Sequence, residues 1–372
     1  MKSPIRLFGV LVALAAAAIG AVVPAQAAEG GHAVFVQTND LEGNGIAAYH
    51  RNADGTLSFV TTYSTGGLGG RAAGAGSDPL ASQGSLLLVP DAELLLAVNA
   101  GSDTISVFQV DGDRLQLTQV LPSGGPFPAA LAVHDNLVYV LDGGGQGYVS
   151  GYRVAGSKLH PIENSTRTLL LGNADTPFFL GSPAQVGFTP DGGHLIVTTK
   201  THNTVDVFSV GPDGRPSSAP TKNSAGPVPF AFVFDSAGRM VLNYAGTSSL
   251  QTFTVNDDNT ITAVSTAIGD GQIAACWATT AAGFAYASNT GSGSVSQFRV
   301  TSGGAVTLVN SVAASGIPGA IDSSAAGGEF LYVQSGTLGS VHVFSIGVSG
   351  SLTRIQVANV PDGDDQEGIV VT

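Results

Sequence analysis

Leu94-Leu-Leu-Ala-Val-Asn-Ala-Gly-Ser-Asp-Thr-Ile-Ser-Val-Phe108 is a β-rich run, a polar turn and an alternating run that ends on an aromatic ring. Ile105 and Val107 alternate with Thr104 and Ser106, the period of two that a half-buried strand requires. The pattern returns at Phe284-Ala-Tyr-Ala-Ser-Asn-Thr-Gly-Ser-Gly-Ser-Val-Ser-Gln-Phe298 and again from Phe330 to Phe344. Along the chain the closing aromatic is Tyr49, Phe108, Tyr152, Phe208, Phe253, Phe298 and Phe344, so the unit occurs seven times. The spacing is 44–46 residues, except for 59 before Phe108 and 56 before Phe208.

Each aromatic is followed by a turn rich in Asp, Asn and Gly, such as Pro212-Asp-Gly214 or Asn256-Asp-Asp-Asn259, and then by another β-like run. These residues tolerate the positive φ of tight hairpins. One more short run precedes each unit, as in Leu131-Ala-Val133 and Ala274-Ala-Cys-Trp277. Four strands per unit of this length predict a propeller blade. The first unit, from Ala33, lacks its leading strand, whereas the last has a surplus one, Gly368-Ile-Val-Val371. Pairing the two closes the ring and removes its free edges. The expected fold is therefore an all-β, seven-bladed propeller of four-stranded blades, closed by the C-terminal strand completing blade 1.

The two long spacings mark insertions at Gly66 to Ser85 and Glu163 to Ser182, each between the outer strand of one blade and the inner strand of the next. In a propeller those connections share a face with the turns after the second strands. That loop face is the expected binding side, since function concentrates on loops held by a rigid scaffold.

Composition narrows the classes. Only 11% of residues are charged, 51 of 372 are glycine and one is cysteine, which excludes coiled coils, disulfide frameworks and thiolate zinc sites. A net charge of −13 makes nucleic acid and anionic membranes poor partners. Lys2 and Arg6, the apolar run Leu7 to Val23, and Ala25-Gln26-Ala27 read as a signal peptide over residues 1–27. The expected mature chain, 28–372, is a secreted or extracytoplasmic single domain, a monomer without a membrane span, with Cys276 buried and unreactive.

Asn99-Ala-Gly-Ser-Asp-Thr-Ile-Ser-Val-Phe108, Pro183-Ala-Gln-Val-Gly-Phe-Thr-Pro-Asp-Gly192 and Asn289-Thr-Gly-Ser-Gly-Ser-Val-Ser296 resemble the seven-bladed propeller lactonases. That family includes propeller-type 6-phosphogluconolactonases and 3-carboxymuconate cyclases, and the likeness runs over about residues 32–372. It implies the propeller fold and a histidine after a proline at the start of an inner strand, with arginines and a glutamate nearby. The matching stretch, Ser182-Pro183-Ala184-Gln185, has no histidine, so no catalytic residue is carried over.

The residues themselves offer three candidate groups. His202 and Lys200, beside Asn203 after the second strand of blade 4, could serve as base and as oxyanion or carboxylate binder. Asn99, Asp142, Lys200, Asn243, Asn289 and Gln334 recur once per blade at the head of the same loop. They would either ring a neutral, hydroxyl-rich ligand or cap their own turns. Gln185 and Trp277 lie on inner strands, Trp277 as packing or as a sugar platform. Asp362, Asp364, Asp365 and Glu367 cluster before the closing strand without the calcium-loop spacing, and neither metal nor cofactor is expected. Two functions stand at this stage. One is a binding scaffold whose loop face takes a neutral small molecule, a glycan or a protein. The alternative is a lactone hydrolase or lactonizing isomerase acting on a sugar or muconate-type lactone.

Overall fold

The computed structural model describes Met1 and residues 32–372; the segment expected to direct export, 1–27, lies outside the described residues apart from Met1. From Ala33 onward the chain forms seven antiparallel sheets, each with four principal strands. The C-terminal strand Ile369–Val371 pairs with Ala33–Gln37 in the register Val34↔Val371, Phe35↔Val370 and Val36↔Ile369, so the last strand completes the first blade. All seven closing aromatics lie on the third strand of their blade and are buried.

The core is layered between blades. Val34, Tyr49, Tyr332 and Val343 pack between blades 7 and 1, and Leu96, Val107, Leu131 and Val140 between blades 2 and 3. Second-strand tyrosines add a recurring tie, because each phenol reaches the hairpin glycine of the next blade. Tyr139 donates to the Gly214 carbonyl at 2.6 Å, Tyr286 to Gly350 at 2.8 Å and Tyr332 to Gly55 at 2.9 Å. These glycines stand at φ 79°, 75° and 84°, where a side chain would be strained.

A further apolar cluster lies along the axis, on the inner strands of blades 4 to 7: Ala184, Phe230, Ala231, Cys276, Trp277, Ala278 and Ile321. The first insertion runs into this centre rather than over the surface. Ser82 donates to the Ala129 carbonyl at 2.8 Å and its own carbonyl accepts the Trp277 indole N–H at 3.1 Å. The Gln83 amide exchanges two hydrogen bonds with the Ala278 backbone, and the Leu131 N–H reaches the Gly84 carbonyl. The small alanines on the inner strands leave room for this plug. Its backbone, which would be unpaired in a bare channel, is satisfied by blades 3, 4 and 6.

Candidate active site

On the loop face the two insertions meet. Ala73 and Phe178 form a parallel bridge, and the Ala73 N–H donates to the Pro177 carbonyl. Close approach of the first insertion fixes Gly336, since a Cβ there would lie 1.8 Å from the Ser77 carbonyl oxygen. Beneath the insertions is a cavity of about 360 Å³, within the range of small-molecule sites. Gly76, Ser77 and Asp78 come from the first insertion, and Phe179 and Leu180 from the second. The blades supply Lys200, Val228, Phe230, Ala245, Gly246, Ala274, Cys276 and Thr290. Val228 and Ala274 adopt left-handed backbone, at φ 55° and 60°, as Phe127 does at the same place in blade 3, so the conformation belongs to the start of the inner strands.

Asp78 and Lys200 are the charged residues of this lining. Asp78 stands where the first insertion turns down into the channel, and the backbone N–H groups of Ala81 and Ser82 favour its charged form. Lys200 is buried, donates to the Ala81 carbonyl at 2.5 Å and lies 5.4 Å from the centre of the Phe230 ring. Behind them Glu367, fully buried, accepts the Leu80 N–H at 3.3 Å and hydrogen-bonds with Asp78. Asp78 Oδ1 and Glu367 Oε1 are both buried without a donor, an arrangement that a proton shared between the two carboxyls resolves.

A family model described as "Lactonase, 7-bladed beta-propeller" matches residues 173–267 and 248–364, just over half of the chain. The chain belongs to the seven-bladed propeller lactonase family. No curated protein matches it. Among solved structures, its fold is similar to that of a periplasmic gluconolactonase from Pseudomonas aeruginosa, at 18% identity and TM-score 0.68 over 90% of this chain and 98% of that one. It is also similar to a candidate 6-phosphogluconolactonase from Bacteroides fragilis, at 16% identity and TM-score 0.69 over 92% and 98%. A Lactobacillus plantarum protein gives 20% identity and TM-score 0.68 over 92% and 98%. At such identities the likeness concerns the fold.

Within this lactonase-family propeller, burial sets the chemistry of the charged pair. It raises Asp78 to about 6, opposed by the hydrogen bond with Glu367 and the charge of Lys200. It lowers Lys200 to about 8, opposed by Asp78, Cys276 and Glu367. Burial and then the charge of Asp78 push Glu367 well above the usual carboxylate range. The coupled Asp78–Glu367 pair therefore holds on to a proton, and the one negative charge left to it faces Lys200. Burial also lifts the Cys276 thiol to about 12, leaving it protonated.

The expected site residues are dispersed. His202 and Asn203 are exposed at their turn, and His202 does not line the cavity, so the pairing of His202 with Lys200 is not formed. Lys200, the first residue of the turn after the strand His194–Thr199, turns inward onto the Ala81 carbonyl and the Phe230 ring. Asn203 instead accepts the N–H of Val228 at 2.9 Å and so holds a lining residue.

Of the once-per-blade ring, Lys200 alone lines the cavity. Asn99 donates to Thr104 and Ser106, and Asn289 to Ser294 and Ser296, each bonding the start of its own third strand. Asn243 donates to the Trp277 carbonyl, while Asp142 and Gln334 are fully buried away from the cavity. Gln185 exchanges hydrogen bonds with the Phe232 backbone and lines a separate depression with Gln83 and Asp322. Trp277 is fully buried against Phe230, with ring centres 5.0 Å apart, so it is packing and presents no sugar platform.

The acidic cluster also divides: Asp365 pairs with Arg71, whereas Glu367 enters the core. Among the described residues no group of three His, Cys, Asp or Glu is placed to hold a metal. Asp78 was missed as a candidate although it is the sole acid of the Gly66 to Ser85 insertion, the signal that marks it.

Proposed function

We propose that this chain is a lactone hydrolase whose active site is the loop-face cavity. Family membership supports the reaction class, and the observation that carries the reading is a base and a cation lining one largely apolar cavity. Asp78, raised towards neutrality, takes a proton from water as its oxygen adds to the lactone carbonyl carbon. The Lys200 ammonium stabilises the oxyanion that develops. Collapse of the tetrahedral species breaks the ring C–O bond, and the proton on Asp78 passes to the leaving alkoxide. The product is the open hydroxy acid, which releases its proton to water. Glu367 stays protonated and holds Asp78 in place.

The scaffold reading is weakened because Asn99, Asn243 and Asn289 are committed to internal hydrogen bonds and, of the ring, Lys200 alone lines the cavity. A lactonizing isomerase for a muconate-type substrate would need cations for several carboxylates, and the lining offers one, already neutralised. The location outside the cytoplasm, read from Lys2, Arg6 and Ala25-Gln26-Ala27, is part of the proposal.

The test is proton release in a pH-stat, with the purified chain and simple lactones. Turnover is expected to follow a bell-shaped pH profile. It falls below about pH 6 as Asp78 takes up a proton and above about pH 8 as Lys200 loses one. No turnover by folded protein would refute the hydrolase reading.

A further inference from the structure

Resting on that reading, we infer that the substrate is an uncharged lactone bearing an apolar substituent, rather than a phosphorylated or polyhydroxylated sugar lactone. Three observations on the cavity and its rim carry this.

The first is charge. The lining sets one cation, Lys200, against one carboxylate, Asp78, and one Lys200 N–H is held by the Ala81 carbonyl, so the cavity has no net positive charge for a phosphate or carboxylate. Arg71, on the same insertion, is also spent. One guanidinium nitrogen donates to the carbonyls of Ala75 and Gly76, and the other pairs with Asp365. An anion entering here would be desolvated without a partner.

The second is hydrogen-bonding capacity. Of the uncharged donors in the lining, the Thr290 hydroxyl already donates to the Ala320 carbonyl at 3.0 Å, Cys276 is a weak donor, and the Ser77 hydroxyl is left to a ligand. A sugar ring would leave several hydroxyls unpaired in the site, which is strongly disfavoured.

The third is the apolar path. Phe179, Leu180, Val228, Phe230, Ala245 and Ala274 supply much of the wall. Their sequence neighbours Phe178 and Ile273 are 53% and 65% exposed. Phe178 packs edge-on against Phe179, with ring centres 4.8 Å apart. Large apolar side chains held in water beside an apolar cavity suit a ligand that brings its own apolar surface.

The experiment compares kcat/KM for γ-valerolactone, γ-octalactone, glucono-δ-lactone and 6-phosphoglucono-δ-lactone under identical conditions. Each added methylene is expected to raise kcat/KM about fourfold. The γ-octalactone should thus exceed γ-valerolactone by at least tenfold, with the phosphorylated lactone turned over least. Phe179→Ser should reduce the octalactone-to-valerolactone ratio, a readout that general loss of structure would not change. Leu180→Ser provides the same test should the first variant not fold. A flat alkyl series, or preference for a sugar or phosphorylated lactone, overturns this inference and leaves the hydrolase reading intact. Failure of the folded protein on all four overturns the hydrolase reading itself.

Discussion

Lys200→Met is expected to lower kcat for lactone hydrolysis by about 10²–10³, the usual effect of removing one oxyanion donor from a preorganised site. Methionine keeps the length and apolar stem of lysine, so packing against Phe230 is preserved while the charge is lost. A second consequence separates this from simple damage. The Lys200 charge holds down the pKa of Asp78, so its removal should move the acid limb of the pH profile upward from about 6. The variant also leaves the Ala81 carbonyl without its lysine partner, so its melting temperature should be measured alongside. An unchanged kcat in a folded variant would remove Lys200 from the mechanism.

The second large effect concerns stability. Asp142 is fully buried between blades 2 and 3, beside Ser123 and Asp103, and burial raises it from 3.8 to about 8. A carboxyl raised on folding keeps its proton in the folded chain after the unfolded chain has lost it. Its contribution is therefore intact below the unfolded value near 4 and is lost as pH rises to about 8. At about 1.4 kcal/mol per unit, the loss over that window amounts to a few kcal/mol. Asp322, buried beside the channel plug and raised to about 7, adds in the same direction. The wild type should thus melt lower at pH 8.5 than at pH 5. Asp142→Asn, which cannot ionise, should melt several degrees above wild type at pH 8.5 and close to it at pH 4. Parallel pH dependence in the two proteins would contradict the assignment.

The blades were legible because their cause is local. Alternation such as Ile105 and Val107 against Thr104 and Ser106, closed by a buried aromatic and a turn with positive φ, needs no tertiary information. Ring closure was legible from the strand count at the two ends. The site was not, because it is assembled from three remote pieces: Asp78 in an aperiodic Gly/Ala/Ser stretch, Lys200 in blade 4 and Glu367 before the closing strand. Read in sequence, Lys200 sits beside His202 on one loop. In three dimensions two residues of that one turn face opposite ways, Lys200 to the axis and His202 to water. The polar ring was misleading for a related reason. Its positions are not equivalent: Asn99, Asp142 and Asn289 close their hairpins, Asn243 and Gln334 stand one residue earlier and Lys200 one later, and Asn99 and Asn289 find hydroxyl partners on their own third strands before any ligand is offered. Asp78 could have been picked out as a lone acid, though its depth could not. That depends on the alanine-lined channel into which the insertion descends.

The measurement that bears most directly on the central claim is the lactone turnover of Asp78→Asn beside His202→Ala, each checked for folding by its melting curve. Asparagine keeps the size of aspartate and one acceptor oxygen, and the plug is seated by the hydrogen bonds of Ser82 and Gln83, so it should remain in place while the base is gone. The account predicts a fall in kcat of about 10²–10⁴ for Asp78→Asn, and a rate within about twofold of wild type for His202→Ala. Full activity in Asp78→Asn together with its loss in His202→Ala would place the chemistry at the exposed turn and contradict the account.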